Sequence, residues 1–178
     1  MNGSVARYDG VAQALHWIIA ILVICAVIIG LFHESLEPIL GKGSMGLHKS
    51  IGLTVLALSV LRLLWRLGHT PPPLPAMPGW QRISAGISHA LFYVLMLGLP
   101  IGGYIFSSAG KYPLAWFGVP VPKMAISKEN PIVGIAHEGH EIGGWLMAAL
   151  IVLHVGAALY HQFGRRDRLI ARMMPGQG

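Results

Sequence analysis

Four apolar runs, each about as long as a bilayer is thick, decide most of what this chain can become. They cover about 11–33, 46–67, 84–107 and 138–162. Each reaches the roughly 20 residues that an α-helix needs to cross a hydrocarbon core of about 30 Å. Lipid offers no partners to backbone N–H and C=O groups, so segments of this kind must be helical. The first run begins too far from any cleavage-like site to look like a removed signal peptide, and its histidine would be odd in one. Only 11% of the 178 residues are charged, against about a quarter in soluble domains. Residues 1–178 are therefore expected to form a single all-α integral membrane domain, a four-helix bundle.

Charge gives the expected orientation. The formal net charge of +6 would invite a nucleic-acid reading if it were spread over one face, but it follows the loops instead. With the N-terminus inside, the inner segments carry Arg7, Arg62, Arg66, Arg82, Arg165, Arg166, Arg168 and Arg172 against Asp9 and Asp167. The outer segments carry Lys42, Lys49, Lys111, Lys123 and Lys128, balanced by Glu34, Glu37, Glu129, Glu138 and Glu141. The positive-inside rule then places both termini in the cytoplasm. The C-terminal arginines serve as a topology anchor that also meets anionic lipid, and no nucleic-acid partner is expected.

The connections carry their own signals. Glu37-Pro38 and Gly41-Lys42-Gly43 read as a returning loop, and Thr70-Pro71-Pro72-Pro73 as an extended linker. Pro100 lies in the third run, with Gly98, Gly102 and Gly103 nearby, and suggests a kink. The longest connection, about 110–137, holds Trp116-Phe117, a pair suited to a membrane interface. No internal repeat is evident. Cys25 is the single cysteine and excludes an intramolecular disulfide or an iron–sulfur cluster built by this chain alone.

Histidines are the chemical signal. Of nine, His16, His48, His89, His140 and His154 fall within the runs away from their extreme ends, where ionisable groups are costly and point to function. A single one would be a hydrogen-bonded packing residue; matched depths are harder to explain that way. His16 and His154 lie near the inner face, His48 and His140 near the outer one. Fourteen residues separate His140 from His154, a rise of roughly 21 Å with side chains about 40° apart around the helix. The residues four positions after these histidines are Ala20, Gly52, Gly144 and Ala158, whereas the other five histidines precede Glu37, Pro73, Tyr93, Glu141 and Arg165 at that offset. A small residue on the same helix face leaves room for a broad flat ligand, although small residues also let membrane helices pack closely.

Elimination narrows the cofactor. Hard cations and di-iron centres need carboxylates, and no Asp or Glu falls within the runs away from their outer ends. One zinc or copper site would not need His pairs at opposite faces, and His137-Glu138-Gly139-His140 has the wrong spacing for a zinc protease helix. Bis-histidine haem iron fits, and with both axial positions filled it favours electron transfer.

The chain resembles the bacterial cytochrome b561 family, the four-helix di-haem type that includes superoxide oxidase. The matching pieces are Ala14-Leu15-His16-Trp17, Gly46-Leu47-His48-Lys49-Ser50-Ile51-Gly52, Arg62-Leu63-Leu64-Trp65-Arg66-Leu67, Ser88-His89-Ala90-Leu91-Phe92-Tyr93, His140-Glu141, Leu153-His154 and Arg172-Met173-Met174-Pro175, which run nearly end to end. The resemblance implies two b haems with axial iron ligands His16, His48, His140 and His154, a bacterial inner-membrane location, and ubiquinone as a redox partner. It also implies a superoxide:quinone oxidoreductase or, alternatively, an electron-transfer subunit between quinol and a separate periplasmic redox protein. Arg62, Arg66, His89 and His161, near the inner pair, are candidates for a quinone headgroup or a haem propionate; interfacial snorkelling explains them as well. Lys49, beside His48, is a candidate for attracting superoxide or pairing with a propionate. A reading of another class, a haem-free ion or proton transporter, predicts ionisable groups at mid-depth.

Overall fold

The computed structural model describes residues 6–41, 43–73 and 76–175; Lys42, among the outer lysines above, lies outside them. Among the described residues four helices are long and apolar enough to cross a membrane, and the architecture there is all-α apart from one small hairpin. Helix α1 spans Gly10–Leu31, α3 Ser44–Gly68, α4 Gly79–Ala109 and α5 Pro131–Leu159. A short α2, His33–Leu40, follows α1 after a break at Phe32. It occupies part of the stretch whose Glu37-Pro38 and glycines suggest a loop.

Capping chemistry sets the helix ends better than apolarity does. Asp9 accepts a hydrogen bond from Ala12 N–H at 2.9 Å, which fixes the start of α1. Asn130 accepts from Ile132 N–H at 3.1 Å, and Pro131 opens the helix, where its missing N–H costs nothing. The fourth span therefore starts at Pro131 instead of near residue 138, and the polar His137-Glu138-Gly139-His140-Glu141 stretch is helical. Beyond Leu159 the chain widens into a π-helical turn, Tyr160–Arg165. It closes with a 3-10 turn at Ile170–Arg172.

Each long helix packs beside two others, α1 on α3 and α5, and α4 on α3 and α5. The direction of each follows from cross-contacts. His48, early in α3, reaches Ala26 late in α1, while Arg62, late in α3, reaches His16 early in α1. His89, early in α4, lies against His154 late in α5. The bundle is thus up-down-up-down, with both termini at one end. The opposite end carries a hairpin of β1 (Ala115–Trp116) and β2 (Val119–Pro120), whose two-residue turn has positive φ at Phe117 and Gly118, a mirror-image turn suited to hairpins. Ser50 Oγ accepts from Phe117 N–H at 3.0 Å, and Trp116 Nε1–H donates to Thr54 Oγ1 at 3.0 Å, so α3 pins the hairpin.

Polarity is distributed as lipid requires. Ile, Leu and Val dominate the exposed helix faces, while Ser50, Ser59, Ser107, Gln13, His161 and Arg172 are buried. Ile19, Val23, Ile51, Val55, Met96 and Met147 form the central apolar contact. Met147→Ala at this 2% exposed position is expected to cost roughly 2–5 kcal/mol in detergent unfolding. Val152→Ala at a 72% exposed position on the same helix should change stability by less than about 0.5 kcal/mol.

Candidate functional site

Two imidazoles meet at the hairpin end. His48 on α3 and His140 on α5 have ring centroids 5.9 Å apart and planes inclined at 79°. Each ring is aimed by a backbone carbonyl of a neighbouring helix. His48 Nδ1–H donates to Ala26 O at 2.9 Å, and His140 Nδ1–H donates to Leu99 O at 2.8 Å. A carbonyl can only accept, so the proton sits on Nδ1 and each Nε2 keeps its lone pair. That is the tautomer a metal-binding histidine adopts when its other nitrogen donates to a carbonyl.

The same device recurs on both sides. Within a helix the carbonyl of residue i already accepts from the N–H of residue i+4, so Ala26 O and Leu99 O each serve a second donor. The residues four positions on are Gly30 and Gly103. A Cβ at Gly30 would lie 2.8 Å from His48 Cε1, and one at Gly103 would lie 3.1 Å from His140 Cε1. The missing side chains are what let the rings reach the carbonyls. Next to the pair opens a cavity of about 590 Å³, lined among others by His48, His140, Gly52, Gly144, Gly30 and Gly103, a volume within the usual range for small-molecule sites. A metal–imidazole bond is about 2.0–2.1 Å, and adding the distance from nitrogen to ring centre puts two axial rings roughly 6 Å apart. The tautomers, the spacing and the Gly-lined cavity all fit a flat group held through its metal.

The end bearing the termini holds a different arrangement. His16 and His154 have centroids 6.3 Å apart at 66°, again the axial spacing. A third imidazole, His89, stands 6.0 Å from His154, and Phe92 packs edge-on to His154 at 5.3 Å. His16 is touched by Trp17 at 5.3 Å, and Arg62 Nη1–H donates to its Nδ1 at 3.3 Å. In that contact His16 carries its proton on Nε2. Ligation through Nε2 therefore requires the tautomer to switch and Arg62 to find another acceptor. Among the described residues no group of three or more His, Cys, Asp or Glu gathers as a metal site, which leaves pairs as the arrangement to explain.

The remaining candidates fall into three places. Arg62 and His89 join the His16–His154 group, and Arg66 is exposed one turn beyond Arg62. His161 is buried, and its Nδ1 lies 2.5 Å from Asp167 Oδ2, which Arg165 Nε also approaches at 3.3 Å. Lys49 lines the hairpin-end cavity together with His33, Glu34, His137 and Glu141. Sequence reasoning passed over Gly30, Gly103, Trp17 and Asp167. A glycine four residues after a carbonyl signals nothing until the helix that uses that carbonyl is known.

Gly30→Val and Gly103→Val should each displace one imidazole and lower the absorbance of any metal group held between His48 and His140, since a displaced ligand no longer holds its metal. Gly134→Val, at a site where a Cβ meets nothing within 4 Å, should leave the absorbance unchanged. The readout is the reduced-minus-oxidised spectrum of purified protein.

Residues 7–176 match the family model for prokaryotic cytochrome b561. The protein named Cytochrome b561 homolog 2 of Escherichia coli (strain K12) is 32% identical over 174 residues, covering 94% of this chain and 91% of the relative. Probable superoxide oxidase CybB of Yersinia pestis is 28% identical over 175 residues, 95% of this chain and 96% of the relative. Cytochrome b562 of Cereibacter sphaeroides is 29% identical over 175 residues, 94% of each chain. With imidazole pairs at both ends of an apolar bundle and a family match over nearly its whole length, the chain belongs to the prokaryotic cytochrome b561 family, membrane proteins that bind haem b and carry electrons.

Proposed function

We propose that this chain holds two b haems, one between His48 and His140 and one between His16 and His154, and passes electrons from periplasmic superoxide to membrane ubiquinone. The observation that carries the reading is the pair of imidazole spacings, 5.9 Å and 6.3 Å, at opposite ends of one bundle and sharing α5. A haem b held by each pair would supply one-electron chemistry there. The protein supplies aimed ligands and an apolar interior.

His89 rivals His16 by distance alone. His16 is favoured because Ala20 follows it by one turn, whereas Tyr93 stands at that position after His89 and fills the space a flat ligand needs. The termini end is read as cytoplasmic, since all eight arginines lie there and Lys49, Lys111, Lys123 and Lys128 belong to the other end. Ubiquinone takes up two electrons and two protons, while two superoxide anions lose one electron each. Arg62, Arg66, His89 and His161 are the donors available for a quinone headgroup or a haem propionate. Lys49 is the cation beside the hairpin-end cavity.

One observation favours a second reading, an electron-transfer subunit serving a separate periplasmic partner. Glu34 and Glu141 line the same cavity as Lys49, and two carboxylates beside one ammonium do not concentrate a small anion. The name of the Yersinia relative supports superoxide; the rim charges support a protein partner.

Superoxide generated in the presence of the purified protein and a short-chain ubiquinone separates the two. Quinol formation that superoxide dismutase abolishes is the expected result; haem-loaded protein that forms none points to the subunit. His16→Ala should lose one haem per chain and His89→Ala should retain both, and the reverse pattern would reassign the ligand.

A further inference from the structure

Both paired imidazoles at the hairpin end, His48 and His140, are aimed by backbone carbonyls. His16 is not: among the described residues its contacts are Arg62 on one side and the rings of Trp17 and His154. Something else must hold it. Trp17 is 39% exposed, so packing alone does not fix its ring. Its Nε1–H donates to the carbonyl of Met173 at 2.7 Å, more than 150 residues along the chain.

Met173 is held in turn by Arg172. This side chain is only 4% exposed, unlike the exposed Arg66 and Arg166, and a topology anchor has no reason to be buried. Its Nη2 donates to Pro72 O at 2.8 Å and Pro73 O at 2.9 Å, and its Nε donates to Ala6 O at 3.2 Å. Its own carbonyl accepts from Tyr8 N–H at 3.1 Å and Gln13 Nε2–H at 3.4 Å. A guanidinium out of water is costly unless hydrogen-bonded, and here three carbonyls satisfy it. One residue thus ties together the N-terminal arm, the α3–α4 linker and the last turn.

We infer that the carboxy-terminal turn Ile170–Arg172 with its cap Met173 is a positioning element for His16, locked by Arg172 and acting through the Met173 carbonyl on the Trp17 indole. The inference rests on the proposed haem between His16 and His154. The turn sets the orientation of the His16 ring about its axis and so the electronic character of one of the two centres. The other centre, whose ligands are fixed by Ala26 and Leu99, is independent of it. Lysine at 172 keeps the charge and the topology signal but cannot present the forked donors that reach several carbonyls at once.

The test compares wild type with Trp17→Phe, which keeps the ring and removes the donor, and with Arg172→Lys. Each purified protein is assayed for haem per chain, low-temperature electron paramagnetic resonance of the ferric form, and redox titration. The expected result is two haems per chain in all three, with one low-spin signal and one of the two titration steps displaced in both variants and the other unmoved. Unchanged signals at full haem content would overturn the inference. So would displacement of both signals, or loss of both haems together, since either marks a general brace. Should Arg172→Lys fail to fold, Trp17→Phe alone decides. A wild type with fewer than two haems removes the proposed function and the inference with it, an outcome distinct from two haems whose signals ignore the substitutions.

Discussion

A histidine inside a lipid-spanning helix has no water to occupy its second nitrogen, so the protein must supply a partner before the first nitrogen can do chemistry. At the hairpin end that partner is a helix carbonyl already engaged in its own helix, shared at 2.9 Å by His48 and at 2.8 Å by His140. The sharing demands that the residue one turn on have no side chain, which Gly30 and Gly103 satisfy. It also demands that α3 lie against α1 and α5 against α4 at the matching depth. Helix order, connection lengths and the hairpin pinned to Ser50 and Thr54 all serve to keep that register.

The two ends solve the same problem differently. The hairpin end uses main chain, which no side-chain motion can disturb. Among the described residues the termini end has no such carbonyl at His16: Arg62 donates to its Nδ1, Trp17 touches its ring while tied to the Met173 carbonyl, and a third imidazole, His89, stands beside His154. A ligand held by side chains can respond to what binds nearby, and this is the end where Arg62 and Arg66 offer donors to an incoming acceptor. An arrangement rigid at one face and adjustable at the other is what the proposed function asks for, single electrons accepted on one side and a two-electron, two-proton carrier served on the other.

Much of this was legible in the sequence because it rests on local pattern. Apolar length marks the four spans, and the count of fourteen residues from His140 to His154 places both on one side of α5. The matched depths bring His16 near His154 and His48 near His140. What was not legible depends on tertiary partners. Apolarity puts the fourth span seven residues late, since the Asn130-Pro131 start is a capping signal that lies outside the apolar run. α2 forms despite Pro38 and its flanking glycines. Gly30 and Gly103 look like any other glycine among the 23 present until the accepting carbonyls are known. The burial of Arg172 is invisible in a cluster of arginines that otherwise reads as a membrane anchor.

The proposed function requires each imidazole pair to hold its own haem. Pyridine haemochrome quantitation against amino-acid analysis of the purified chain, read together with the spin state of the ferric form, tests it most directly. Two b haems per polypeptide, both low-spin, is the predicted result. One haem, none, or a high-spin centre with an open coordination position would contradict it.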